Sequence, residues 1–230
     1  MGRIILIETS TSLCSVALAE DGKVVCERLS EEPRAHASLT APFVNDILKE
    51  RGLRVSDCDA VAVSKGPGSY TGLRVGVSTA KGLCFGAGIP LVSVGTLDTL
   101  VWQAIGEGLV PDTCGYIIPM VDARRMEVYT AVFSAEGKQL TPTEASVINE
   151  DSFKEYRSQG PVLFIGDGAG KCQDVLQAPD ASFIQCCPKA SGMASPADAA
   201  LREGRLEDVA YFEPFYLKEF VTTVSKKKLF

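Results

Sequence analysis

The sequence holds a single histidine, His36, among 230 residues. A pair of histidines at i and i+4 on one helix face, which grips a zinc ion well, is therefore excluded. Thr40 stands four residues on. A histidine-dependent nucleophile is unsupported too, because no serine sits in a Gly-x-Ser-x-Gly elbow. His36 alone reads as a helix-start or surface residue. None of the eight cysteines forms Cys-x-x-Cys, so no metal site is expected. Cys14, Cys26 and Cys84 lie in largely apolar stretches and read as reduced, small hydrophobes. No apolar run approaches the ~20 residues of a membrane helix. The apolar start ends at Glu8, too early for a signal peptide, so a cytoplasmic setting without membrane contact is expected. Basic residues are not in excess. A net charge of −6 opposes a stand-alone nucleic-acid binder, which carries a basic patch.

What is present suits a folded chain. An apolar fraction of 46% and a charged fraction of 23% allow a good core, as one large domain or two small lobes. Residues 3–7, 13–19 and 23–29 read as a strand meander, with Asp21-Gly22 as a hairpin turn. Leu39, Phe43 and Ile47, joined by Val44 and Leu48, mark an amphipathic helix over 35–51. Pro42 is expected to kink this helix or disturb its first turns, and Gly52 to close it. A strand at 60–64, a helix at 71–87, a strand at 91–94 and a helix at 95–105 follow. The second half echoes this less clearly. Strands are predicted at 115–121, 127–133, 140–148 and 162–165, with a short helix at 151–158. A last helix is predicted at 195–203, with Ser195 as N-cap and Pro196 in first position. The expected division is an N-terminal lobe (1–104), a C-terminal lobe (105–220) and a solvated tail (221–230) with Lys226-Lys227-Lys228. Three antiparallel strands followed by alternating helices and strands is the layout of one lobe of the two-lobed α/β actin/hexokinase/Hsp70 (ASKHA, ribonuclease H-like) fold.

The most telling stretch is Gly66-Pro67-Gly68-Ser69-Tyr70-Thr71-Gly72-Leu73-Arg74-Val75-Gly76. A strand, a glycine turn and a helix start bring backbone N–H groups and a positive helix end to one point, which suits an anion. The string is not a Walker A loop, for no Gly-Lys-Ser/Thr follows. It is not a dinucleotide fingerprint either, for its third glycine would fall at Thr71. A tight turn with close helix–strand packing is the other reading of the same residues. The literal string resembles the signature of the bacterial TsaB (YeaZ) family. The similarity extends over essentially the whole chain: Ile-Leu-Ile-Glu-Thr-Ser-Thr within 4–18, Asp-Ala-Arg then Glu-Val-Tyr within 122–129, residues 166–169, and Pro-Phe-Tyr-Leu-Lys at 214–218. Glu8 departs from the usual Asp and Lys218 from a commoner Arg.

The resemblance implies a scaffold and activator subunit with no catalytic residue of its own. Its partner TsaD would transfer threonylcarbamoyl to the adenosine next to the anticodon, in tRNAs reading codons that begin with A. The chain would hold TsaD active and help recruit TsaE, touching tRNA only through the complex. TsaD binds its metal through His-x-x-x-His on its first helix, which a chain with one histidine cannot assemble. A self-contained metallopeptidase is opposed on the same ground. No tightly bound cofactor is implied, and ATP or ADP would be held only in the complex. The candidate nucleotide or anion contacts are Glu8, Ser10, Gly66, Gly68, Ser69, Thr71, Asp122, Gly166 and Gly168, with ordinary satisfied turns as the alternative at each. The helix 71–87 carries small residues at Gly72, Gly76 and Ala80, and again at Thr79, Gly82 and Gly86. Glycine inside a helix costs up to ~1 kcal/mol, so close approach on two faces is expected. With the first helix this gives a docking patch of Leu39, Phe43, Ile47, Gly72, Val75, Gly76, Thr79, Gly82 and Leu83. A self-complementary version of it makes a homodimer. The rival reading is a small ASKHA-fold kinase or ATPase acting alone.

Overall fold

The computed structural model describes residues 2–218, so the tail 221–230 lies outside the described residues. The chain opens with the expected meander: β1 (Arg3–Glu8), β2 (Cys14–Glu20) and β3 (Lys23–Ser30), antiparallel throughout. Two further strands, β4 (Ala60–Gly66) and β5 (Leu91–Gly95), add in parallel on the other side of β1, giving the order β3-β2-β1-β4-β5. Parallel addition needs crossovers. These are α1 (His36–Glu50) and α2 (Tyr70–Ala87), which lie on one face of the sheet. The opposite face is covered by a 3-10 turn (Ala190–Met193) and by α6 (Ala194–Arg202). Ile5 and Ile7 point to the first layer, Ile4 and Leu6 to the second. Burial on both faces explains why β1 is an uninterrupted apolar run rather than an alternating one.

A second sheet repeats the pattern. Its strands are β6 (Tyr116–Asp122), β7 (Glu127–Thr130), β8 (Phe133–Ser134), β9 (Glu144–Val147), β10 (Val162–Ile165) and β11 (Ala181–Ile184). The order is β11-β10-β6-β7-β9, with β8 also paired to β6. β6, β10 and β11 run parallel, while β7 and β9 complete an antiparallel meander. The central strand, β1 or β6, has meander partners on one side and parallel partners on the other. α3 (Thr96–Gly106) packs Leu97, Leu100, Val101 and Ala104 on one face of this sheet. α5 (Ala169–Leu176) packs Ala169, Cys172 and Leu176 on the other. The short α4 (Lys154–Arg157) lies between β9 and β10 in the chain.

Several sequence expectations change. The strand predicted at 127–133 is broken at Ala131–Val132. Val132 turns its backbone to the next segment: its N–H donates to Thr141 Oγ1 (2.9 Å) and its carbonyl accepts from Leu140 N (2.7 Å). The last helix starts at Ala194 without a Ser195 cap, because the chain is already wound in the preceding 3-10 turn. Pro196 then falls in the first turn, where its missing N–H leaves no bond unmade. α1 runs on through Pro42, which sits on its exposed side, where water can reach the carbonyl that proline leaves unpaired. α5 and β11 had no clear signal, being short, and β11 being only half-buried.

The assignment of everything from 105 to 220 to a second lobe also changes. Residues 190–218 return to the first sheet. Beyond α6, Glu207 N donates to Leu91 O (2.8 Å) and Phe215 N to Lys65 O (2.7 Å). Lys81 Nζ on α2 holds the carbonyls of Ala210 (3.1 Å) and Phe212 (3.0 Å). Val209 and Phe212 pack against the first sheet's α1–α2 layer. α3 bridges the two units: it packs on the second sheet, and its Thr99 carbonyl presses on the 3-10 turn. A Cβ at Gly192 would lie 2.4 Å from that oxygen. Leu100 is fully buried in this layer. Leu100→Ala is expected to cost about 2–5 kcal/mol through a cavity that packed sheets cannot collapse, measured as a lower urea midpoint.

Candidate functional site between the two sheets

The glycine string is locked against the turn that follows β1. A Cβ at Gly68 would lie 2.3 Å from Ser10 O, at Gly72 2.0 Å from Thr9 O, and at Gly76 2.3 Å from Thr9 Oγ1. Only glycine permits these approaches. Hydrogen bonds run along the same seam: Ser69 N to Ser10 O (2.6 Å) and Thr9 Oγ1 to Gly72 O (2.8 Å). Ser69 caps α2, its hydroxyl accepting from Gly72 N (3.3 Å). Gly66, at φ 108°, sits under the carbonyl of Phe215, 2.7 Å from where a Cβ would be. Gly66 and Gly68, expected to meet an anion, thus meet the protein's own backbone. The close-packing reading fits this geometry.

Glu8 ends β1 fully buried. Its Oε1 accepts from Ser10 N at 2.6 Å. Burial pushes its carboxyl up to about 7, against hydrogen bonds from Ser10 and Ser64 that favour the charged form. Glu8 therefore lies beneath the turn rather than in open space.

Above the turn is a cleft of about 860 Å³ between the two sheets. Ser10, Gly68, Ser69, Thr71 and Asp122 from the expected set line it. Gly166 and Gly168 do not. They are buried where the chain leaves β10, and a Cβ would lie 2.1 Å from Met120 O at Gly166 and 2.9 Å from Val128 Cγ1 at Gly168. The residue between them, Asp167, reaches the cleft instead. Its Oδ1 accepts from Asp122 N (2.9 Å), and burial raises its pKa. Asp122 pairs with Lys171, whose Nζ also donates to Glu127 O (2.7 Å). Lys218 pairs with Glu127, so the chain's return segment touches the second sheet at the cleft mouth. Arg74 stacks over Tyr70 (4.1 Å) and donates to Tyr216 OH (3.3 Å), and the two tyrosine rings lie 4.7 Å apart. Thr11, Ser12, Arg34, Arg124 and Tyr129 also line the cleft. Thr11, Ser12, Arg124 and Tyr129 lie in or beside the strings that carry the family resemblance, though not among the expected contacts, and Arg34 stands in a loop without a local signal. Among the described residues, no cluster of three or more His, Cys, Asp or Glu is placed to hold a metal. His36 contacts Leu13 O through Nε2 (3.3 Å), and Thr40 donates back to His36 O (2.6 Å).

The expected docking patch divides in two. Ile47 is buried in the core, and Gly72 and Gly76 face the turn after β1, so these three are packing residues. Leu39, Phe43, Val75 and Thr79 are half-buried, and Leu83 is partly packed on the core. Gly82 and Gly86 meet nothing within 4 Å, and Phe85 beside them is 86% exposed.

The family model described as "TsaD: tRNA N6-adenosine threonylcarbamoyltransferase" matches residues 23–219. The Escherichia coli protein named "tRNA threonylcarbamoyladenosine biosynthesis protein TsaB" is 33% identical, across 99% of this chain and 98% of its own length. The chain belongs to the TsaB (YeaZ) family. The solved structure of YeaZ from Pseudomonas aeruginosa superposes with a TM-score of 0.81 at 28% identity, covering 94% of this chain and all of that one. A dehydratase activator from Clostridium difficile, at TM-score 0.51 and 8% identity over 88% of this chain and 96% of its own, shares the fold alone. This TsaB-family chain has the two-lobed ASKHA fold, and no helix among its described residues is long and apolar enough to cross a membrane.

Two predictions test the seam in this family member. Gly72→Ala is expected to lose about 2–4 kcal/mol by overlap with Thr9 O, whereas Gly82→Ala gains up to about 1 kcal/mol of helix propensity. Urea titration of both variants checks this. Glu8, raised when folded, contributes stability below its unfolded pKa that is lost as pH rises towards 7. Glu8→Gln is expected to remove that fall and to be about 2–3 kcal/mol more stable than the parent at pH 8, measured as urea midpoints from pH 4 to 8.

Proposed function

We propose that this chain is a non-catalytic subunit that docks on TsaD and supports threonylcarbamoyl transfer to tRNA, with TsaE as a further partner. The observation that carries this is the uncovered face of α2. Gly82 and Gly86 leave the helix backbone open to a second helix, and Phe85 stands exposed beside them. Interior glycines that pack against nothing in their own chain cost helix stability without local return, which a partner helix in close approach would offset. Leu39 and Phe43 of the neighbouring α1 are half-buried, and a homodimer through the α2 face is the self-complementary version. The relatives' names place them in threonylcarbamoyladenosine biosynthesis. The net charge of −6 fits indirect contact with tRNA. ATP or ADP belongs, on this reading, to the assembled complex.

The rival, a kinase acting alone, loses support from the seam. The glycines of its phosphate turn are spent on Ser10 and Thr9, and Glu8 is buried. Clear ATP turnover by the purified chain, abolished by Glu8→Gln, would restore it.

Light scattering of the chain mixed with its cognate TsaD is expected to give a heterodimer. The double variant Val75→Glu/Thr79→Arg should weaken that complex at least tenfold while keeping the parent's melting temperature. A complex of parental strength in the variant would remove α2 from the interface.

A further inference from the structure

The returning segment runs along one stripe of α2. Tyr70, Arg74 and Lys81 lie four and seven residues apart, so they share a side of that helix. Lys81 Nζ takes the carbonyls of Ala210 and Phe212, Arg74 Nε donates to Tyr216 OH, and the Tyr70 ring lies against that of Tyr216. The segment therefore descends α2 towards its first residue as its own number rises. It then crosses to the second sheet, where Lys218 pairs with Glu127 at the start of β7. Among the described residues this is the one ion pair between the returning segment and the second sheet. Lys171 Nζ holds the Glu127 carbonyl and pairs with Asp122, so Glu127 stands on a fixed strand end. Lys218 is the movable partner.

The grip weakens along this path. Val209 and Phe212 pack on the core of the first sheet. Asp208 Oδ1 ties the turn between them, accepting from Ala210 N (2.8 Å) and Tyr211 N (3.1 Å). Beyond Phe212 none of the described residues is buried, and Phe215 is 42% exposed. That end is held by the Phe215 N–H on Lys65 O (2.7 Å), by the contacts of Tyr216 and by the ion pair. A segment with so little buried apolar contact opens locally before the sheets beneath it do. The ion pair is partly exposed on both sides, so salt screens it, and it favours the closed arrangement by about two- to fivefold. We propose that residues 213–218 form a strap over the cleft mouth, latched by Lys218 on Glu127, which opens while both sheets stay folded. Latched, it ties the two units together across the cleft. Released, it takes Phe215, Tyr216, Leu217 and Lys218 off the volume that they border. The strap belongs to the lone chain and does not depend on the scaffold reading.

The test is amide hydrogen exchange of the purified full chain, followed by NMR at one pH and at about 0.02 M and 0.5 M salt. The Phe215 amide reports the strap. The Ser69 amide, bonded to Ser10 O, and the Glu207 amide, bonded to Leu91 O, report the seam and the anchored part of the segment. High salt is expected to speed exchange at Phe215 about two- to fivefold in the parent. Lys218→Ala and Glu127→Gln should each give the same acceleration at low salt and remove the salt response. Their double variant should exchange no faster than either alone, and Lys218→Arg should keep the parental protection. Ser69, Glu207 and the melting temperature should not move. Parental exchange at Phe215 in both single variants, or accelerations that multiply in the double variant, would overturn the latch. Ser69 and Glu207 accelerating together with Phe215 would overturn the strap, since the first unit would then be loosening as a whole.

Discussion

The contact between α2 and the turn after β1 is the constraint on which the rest of this molecule depends. Three glycines, one helical turn apart or nearly so, let the helix rest on the carbonyls of Thr9 and Ser10 and on the Thr9 hydroxyl. This contact fixes where α2 begins, and so where its positive end points. It also drives the Glu8 carboxyl into the interior, where desolvation outweighs its hydrogen bonds. A protein that used the same glycines to cradle phosphate would need that space empty. Here it is full.

The second consequence is the cleft. Two sheets of matching strand order are joined by α3 and by residues 190–218, which return to the first sheet. The ends of β1, β4, β6 and β10 converge at the junction, as ligand sites of open α/β sheets do. The returning segment borders this space with Phe215, Tyr216, Leu217 and Lys218, and Lys218 crosses to Glu127. Loops from both units therefore line one volume, and no single stretch of sequence contains the lining.

The molecule thus presents two surfaces of different character. The cleft is of mixed lining, with Val121, Tyr129, Phe215 and Leu217 beside hydroxyls and charged side chains. The outer face of α2 is small-residue and apolar, with Phe85 standing free. The second suits a macromolecular partner.

The local pattern of residues was enough to read β1 to β5 and α1 to α3 to within a residue or two. Their apolar runs, helix period and glycine stops are strong and close together in sequence. It was also enough to identify the family, because the string from Gly66 to Gly76 has a literal form. Short elements such as α5 and β11 were not legible, since they exist by pairing and packing with β10 and the second sheet rather than by their own propensity. The same holds for the site. Ser10, Ser69, Thr71 and Asp122 were found because they flank recognisable turns. Thr11 and Arg124 lie in strings the sequence had singled out without being named as contacts, and Arg34 was not found, because nothing local distinguishes a loop arginine facing solvent from one facing a cleft. The sequence by itself determined the elements and the family. Only the tertiary structure decided that the glycines are packed shut, that Ile47 belongs to the core and that the chain's last described segment returns to the first sheet, because each depends on contacts between residues far apart in the chain.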